Sequence, residues 1–368
     1  MVRSVSRHVS MRLTILALSL ISAASISGEL SPCKFNFGMS WQGPDYAYPA
    51  QVDYVTLWAG GDENFNIYWD GAMLNACKPG GKQAGRTPVY YSYIIAFTAR
   101  RDLGLKDCDV GTPNLCQQGA DFIRQKKARI LSQYDKYASE AAKVWGTRDP
   151  IIWMMEPDYY QYASGNTQVG GPITYAEAGA LMDEILATVK KSLPNAVFSL
   201  DISPWVSNPT AWYAAFKMDA FAYINTSGGR TDADDARIRK ENTMTWKAVH
   251  ELTRKPIIAD DGYGVAGASI GHDSTWDKSV NLNARIGDGV VAITQANPRV
   301  DWNGVLAGVR GQLVAVSCQT GIRLAPTHQS GSRGLLQILS GPEFSNSDGR
   351  NVLGRVLPMP DKSPVERQ

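Results

Sequence analysis

The chain has 368 residues, 44% of them hydrophobic and 20% charged, a globular composition long enough for one large domain or two small ones. Its 37 Lys and Arg nearly balance 35 Asp and Glu, so it has no electrostatic footprint for nucleic acid or for an anionic membrane surface. Four His and five Cys, at spacings foreign to a zinc centre, argue against a metal, and no other cofactor is called for.

Residues 1–27 have a basic start, the short apolar core of "MRLTILALSLISAASISG" and small residues after it. That is the pattern of a secretory signal peptide, cut near Ala24 to Ser27, and the apolar run is too short to span a bilayer. Its three Arg come off the 37 basic residues and leave 34 against 35. Export implies an extracellular protein and permits disulfides among Cys33, Cys77, Cys108, Cys116 and Cys318. Cys108 and Cys116 bracket "DVGTPNL" and are the easiest pair. The other three allow one more bridge and leave one thiol over.

From residue 34 onward, strand-like and helix-like segments alternate. Apolar, β-branched or aromatic runs predict strands at 34–41, 52–59, 87–97, 150–157, 196–203, 220–226, 255–261 and 290–296. Amphipathic periodicity predicts helices at 119–145, 174–193, 233–254 and 301–318, the second opened by a capping box of Thr174 and Glu177. The crossover "QGPDYAYPAQ" is too short for a good helix. Such alternation implies βαβ units, and about eight strands point to an α/β fold closed as a TIM-like barrel, possible distortion included. The expected organisation is one barrel domain over 28–321 and a loosely ordered tail over 322–368, in a monomeric protein.

In a barrel of this class the chemistry sits at the C-terminal ends of the strands. The predicted strands end in Trp41; in Trp58; at Tyr93, before the loop "LKDCDVG"; in Glu156, Asp158 and Tyr159; in Asp201 and then Trp205; in Asn225; in Asp260, Asp261 and Tyr263; and in Gln295. Carboxylates and amides bind sugar hydroxyls, and aromatic faces stack on pyranose rings. Cleaving a glycosidic bond takes one carboxyl as acid and a second carboxylate as base or nucleophile. In "IIWMMEPDYY" five apolar residues run into Glu156 and Asp158. If the strand persists, alternation turns both towards the mouth, where like charges push one pKa up. Trp153, inside a strand, is packing. "GYGVAG" (262–267) and "GASIG" (267–271) match dinucleotide and nucleophile-elbow patterns without the helix or strand that each requires. Asn225-Thr226-Ser227 is a glycosylation sequon, awkwardly placed at a barrel mouth.

Four of these segments, "IIWMMEPD", "LPNAVFSLDISPW", "IIADDGYG" and "KDCD", together resemble the family 6 glycoside hydrolases, the inverting cellulases, in the same order over about residues 87–300. The resemblance implies a secreted enzyme that cleaves a β-linked glucan by inversion. Asp158 would be the general acid and Asp107 its proton-holding neighbour. Asp201 would tune the field, Asp260 would be the late carboxylate considered for the base, and Glu156 a buried partner. Trp41, Trp58, Tyr93, Tyr159, Trp205, Asn225, Tyr263 and Gln295 are the candidate sugar contacts. The sequence departs from the family in Tyr159-Tyr160, in lacking Gly-His after Asp201, and in having no Cys between 117 and 317. Two other readings are a retaining barrel glycosidase, with Glu156 as acid and Asp261 as nucleophile, and a barrel that binds polysaccharide without cleaving it.

Overall fold

The computed structural model describes residues 35–108, 111–226, 229, 232–239, 242–260, 274–295 and 302–314. The expected signal peptide, the tail over 322–368, Cys33 and Cys318 lie outside them. Eight parallel strands close into a barrel in sequence order. They are β1 (Asn36–Ser40), β2 (Val52–Ala59), β3 (Thr87–Ser92), β4 (Ile151–Met155), β5 (Ala196–Ile202), β6 (Phe221–Thr226), β7 (Ile257–Asp260) and β8 (Val290–Gln295). Pairing of β8 with β1 completes the ring. The α/β class and TIM-like architecture read from the alternation are therefore those of the molecule.

The helices are α1 (Asp70–Cys77), α2 (Ile94–Leu103), α3 (Leu115–Trp145), α4 (Tyr159–Ala163), α5 (Tyr175–Ser192), α6 (Pro209–Ala214), α7 (Trp246–Thr253), α8 (Ser279–Gly287) and α9 (Trp302–Arg310). No helix joins β1 to β2. The capping box of α5 forms in full: Thr174 Oγ1 accepts the Glu177 N–H at 3.1 Å, and Glu177 accepts the Thr174 N–H at 2.7 Å.

Two expectations are corrected. The run 87–97 is not one strand: β3 stops at Ser92 and α2 starts at Ile94. Buried strand and buried helix are both apolar throughout, so periodicity hides the junction. The stretch 233–254 is helical only from Trp246, because Thr245 caps there, accepting the Ala248 N–H at 3.2 Å.

Strand register sorts the side chains. One set, including Phe37, Leu57, Trp153, Phe198 and Ile293, is large and apolar and faces the helices. The alternate set includes Gly38, Tyr54, Met154, Ser199, Asp201, Tyr223, Asn225 and Thr294, which the pairings place side by side around the lumen. The Tyr54 ring lies on Gly38, and its hydroxyl shares a 2.8 Å hydrogen bond with Thr294 Oγ1. A Cβ on Gly38 would stand 1.9 Å from that ring. Gly38→Ala should therefore lower stability by about 1–3 kcal/mol, the usual result of overpacking a core. The guanidinium midpoint measures this, and an unchanged midpoint would show that the ring moves aside freely.

Candidate active site

The corner after β4 does not continue the strand. Glu156 has φ 45° and Asp158 φ 64°, both left-handed, so alternation fails at the point where the two carboxylates were expected to face the mouth together. Glu156 instead turns into the protein and is fully buried. One oxygen accepts the Ile95 N–H at 2.9 Å, in the first turn of α2. Hydroxyls from Tyr134 of α3 and Tyr162 of α4 donate one to each oxygen. Ser92 Oγ, at the end of β3, donates to Tyr134 at 3.1 Å. Burial pushes the Glu156 carboxyl up to about 7, against the pull of these donors. The carboxylate thus ties β4 to three helices.

Asp158 is the half-exposed member of the pair. Its left-handed backbone presents its N–H to Asp201 Oδ2 at 3.1 Å, across to the end of β5. Gln161 Nε2 donates to Asp158 Oδ1 at 3.0 Å, and Gln161 Oε1 accepts from Ser203 Oγ at 3.1 Å. Asp158, Asp201, Gln161 and Ser203 form one network on the β4–β5 rim. Beside it, Tyr93 sits between β3 and α2. Its phenol is raised well above the ordinary value, first by burial and then by the Asp107 and Asp158 carboxylates, with Arg100 opposing and Glu156 adding. Asp107 pairs with Arg100 at 3.4 Å. It sits on a loop closed by the Cys108–Cys116 disulfide, the pair expected from spacing, whose Cα atoms are 4.9 Å apart. Asp107, Asp158, Asp201 and Tyr93 are therefore brought together at the C-terminal face.

The aromatic candidates divide. Trp58 is in the lumen-facing set, stacked on Tyr91 at 4.6 Å. Trp205 lies beyond β5, 41% exposed, with the Arg239 guanidinium 4.5 Å from its ring centre. Asn225 is fully buried on β6 beside Asp201, which denies the sequon to a glycan in the folded protein. Two candidates are corrected. Trp41, one residue past β1, is fully buried, stacked on Tyr48 and edge-on to Trp69. Tyr159 is buried in the helix layer, donating to the Ala178 carbonyl at 3.0 Å and packing on Trp212. Asp260 ends β7, in register with Thr294; its side chain, that of Gln295, and the whole of Asp261, Tyr263 and both glycine motifs at 262–271 lie outside the described residues. Sequence reasoning missed Gln161, Ser203, Tyr134, Tyr162 and Arg239. Only Gln161, one helical turn after Asp158, carried a local signal.

The molecule is thus a (β/α)8 barrel with carboxylates gathered at its C-terminal mouth. Solved structures with this fold include a family 26 endo-β-1,4-mannanase from Cellulomonas fimi, with TM-score 0.50, 11% identity and coverage of 76% of this chain and 70% of that one. A family 26 β-mannanase from Bacteroides ovatus has TM-score 0.51 and 10% identity, over 80% of this chain and 93% of that one. No family model and no curated protein sequence matches the chain. The family 6 resemblance is corrected by these findings: these two structural neighbours are family 26 enzymes, and neither is a family 6 cellulase. Its four motifs are short, and each is an apolar strand or loop running into acid, which any barrel with an acidic mouth supplies.

The raised Glu156 carboxyl fixes a pH dependence. The unfolded chain loses this proton near 4.5 and the folded one near 7. Between those values the folded state holds the extra proton, so stability falls as pH rises, by on the order of 3 kcal/mol across the window. Glu156→Gln should flatten that part of the stability–pH curve, leaving the share of buried Asp70, also raised to about 7. Parallel curves for the two proteins would mean that Glu156 ionises normally.

Proposed function

We propose that the protein is a secreted glycoside hydrolase that cleaves a β-linked polysaccharide, a glucan or a mannan, at the C-terminal mouth of the barrel. The observation that carries this reading is the Asp158 network. A half-exposed carboxyl is fixed by Gln161 at a strand end, next to Asp201 and close to a buried phenol that also feels Asp107. A general acid in a glycosidase needs such a position, open to the leaving oxygen and rigid in its orientation. The family 26 mannanases that share the fold act on polysaccharide of this kind, and the exposed indole of Trp205 suits a sugar ring.

In this reading Asp158 protonates the leaving oxygen, and Asp260, three strands round the ring on β7, activates water on the opposite face of the sugar, giving inversion. Asp201 and Asp107 set the field at Asp158, and Tyr93 lies beside them. Glu156 holds the corner without touching substrate. Its enclosure by Tyr134, Tyr162 and the Ile95 N–H disfavours the retaining alternative with Glu156 as acid.

Asp158→Asn keeps the shape and removes the proton donor. The rate on polysaccharide should fall by roughly 100-fold or more, the usual size of a general-acid contribution. Nitrophenyl glycosides, whose leaving group needs little protonation, should be hurt less. Equal losses on both substrates would take the acid's role from Asp158. The first product should carry the inverted anomeric centre; a retained one would make the late carboxylate a nucleophile instead.

A further inference from the structure

Among the described side chains, Trp205 is the exposed tryptophan, at 41%. A turn builds that exposure. The Ser203 carbonyl accepts the Val206 N–H at 3.3 Å, which sets Pro204 and Trp205 at the two corners, and Pro is favoured at the first of them. Ser203, Pro204 and Val206 are all buried, so the turn is anchored at both ends and presents only the indole. The Arg239 guanidinium lies 4.5 Å from the ring centre and is itself buried. A cation held over one face steadies the ring and leaves the opposite face to solvent. Such a surface is already ordered before anything binds to it, so binding carries little further entropic cost.

The turn is also tied to the acid. Ser203 Oγ donates to Gln161 Oε1 at 3.1 Å, and Gln161 Nε2 donates to Asp158 Oδ1 at 3.0 Å. Indole and carboxyl are therefore carried by one hydrogen-bonded frame on the β4–β5 rim. A flat apolar face beside a site that handles glycosidic oxygen fits the C–H face of a pyranose ring. The charge of the mouth narrows the choice further. Asp107, Asp158 and Asp201 gather there, and they disfavour a sugar that brings a carboxylate of its own. We infer that the face of Trp205 turned away from Arg239 is a stacking platform for a neutral pyranose ring of the substrate chain, next to the bond that Asp158 protonates. This rests on the polysaccharide-cleaving function proposed above. It places a substrate-binding subsite on the loop after β5, beyond the barrel lumen, and makes the substrate an uncharged polysaccharide.

The test reads binding before cleavage. Calorimetry measures cellohexaose and mannohexaose on Asp158→Asn, which leaves the chains uncut, and on the same protein with Trp205→Phe or Trp205→Ala added. Affinity for the better hexaose should fall about tenfold or more with Ala, and less with Phe, which keeps a smaller ring. That hexaose should also shield part of the tryptophan fluorescence from acrylamide, and the shielding should be largely lost in both Trp205 variants. With Asp158 intact, Trp205→Ala should raise KM on the polysaccharide by a similar factor with kcat little changed, the mark of lost binding rather than lost chemistry. A galacturonate hexamer should bind more weakly than the better neutral one. Unchanged affinity and shielding in Trp205→Ala, a galacturonate hexamer bound as tightly, or no binding of either neutral hexaose would each overturn the inference. Should Trp205→Ala fail to fold, Trp205→Phe decides: weaker binding with lost shielding supports the platform, and equal binding overturns it. The two readings fail separately. Binding through Trp205 without cleavage of any glycan sinks the hydrolase and keeps the platform. Cleavage that Trp205→Ala leaves unchanged keeps the hydrolase and sinks the platform.

Discussion

The placement of one buried carboxylate organises the candidate site. Glu156 ends an apolar strand and would be an unpaired charge in the core without its three donors. Those donors come from three separate helices: the Ile95 N–H of α2, Tyr134 of α3 and Tyr162 of α4. A helix N-terminus is a natural seat for a carboxylate. To reach it the chain adopts a left-handed conformation at Glu156 and another at Asp158. That double turn takes Asp158 out of strand geometry and hands its N–H to Asp201. The position of the exposed carboxyl thus follows from how the buried one is satisfied.

The division of labour within "EPD" is electrostatic in origin. Burial holds Glu156 near 7, yet enclosure keeps it from any substrate. Asp158 has one oxygen fixed by Gln161 and a side chain still reached by solvent. A raised pKa alone would point to Glu156 as the acid; access and orientation are what favour Asp158 in the proposed mechanism. The same reasoning separates the aromatics. Trp205 is exposed beyond β5, while Trp41, Trp58 and Tyr159, equally close to strand ends in sequence, are buried.

Much of the architecture was legible in the sequence. Continuous apolar runs broken by amphipathic segments marked all eight strands, and Thr174 with Glu177 marked the start of α5. The β3–α2 junction at Tyr93 was not legible, because β3 and the start of α2, from Ile94 to Ala99, are buried without a break. Nor was the fate of Glu156. Its partners Tyr134 and Ile95 lie 22 and 61 residues away, and no local pattern announces them. Parity along a strand is a sound guide only while the strand lasts, and here it ends at Met155, one residue before Glu156. Short motifs misled for a related reason: acidic strand ends follow from barrel mouths in general, so their order alone does not define a family.

The central claim is that this mouth cleaves polysaccharide. The most direct measurement is the release of reducing ends by the purified protein from a panel of β-linked glucans and mannans, with Asp158→Asn as the paired control. The account predicts release from at least one polymer by the wild type, largely abolished in the variant. Release from none of them, or release unaffected by the substitution, would contradict it.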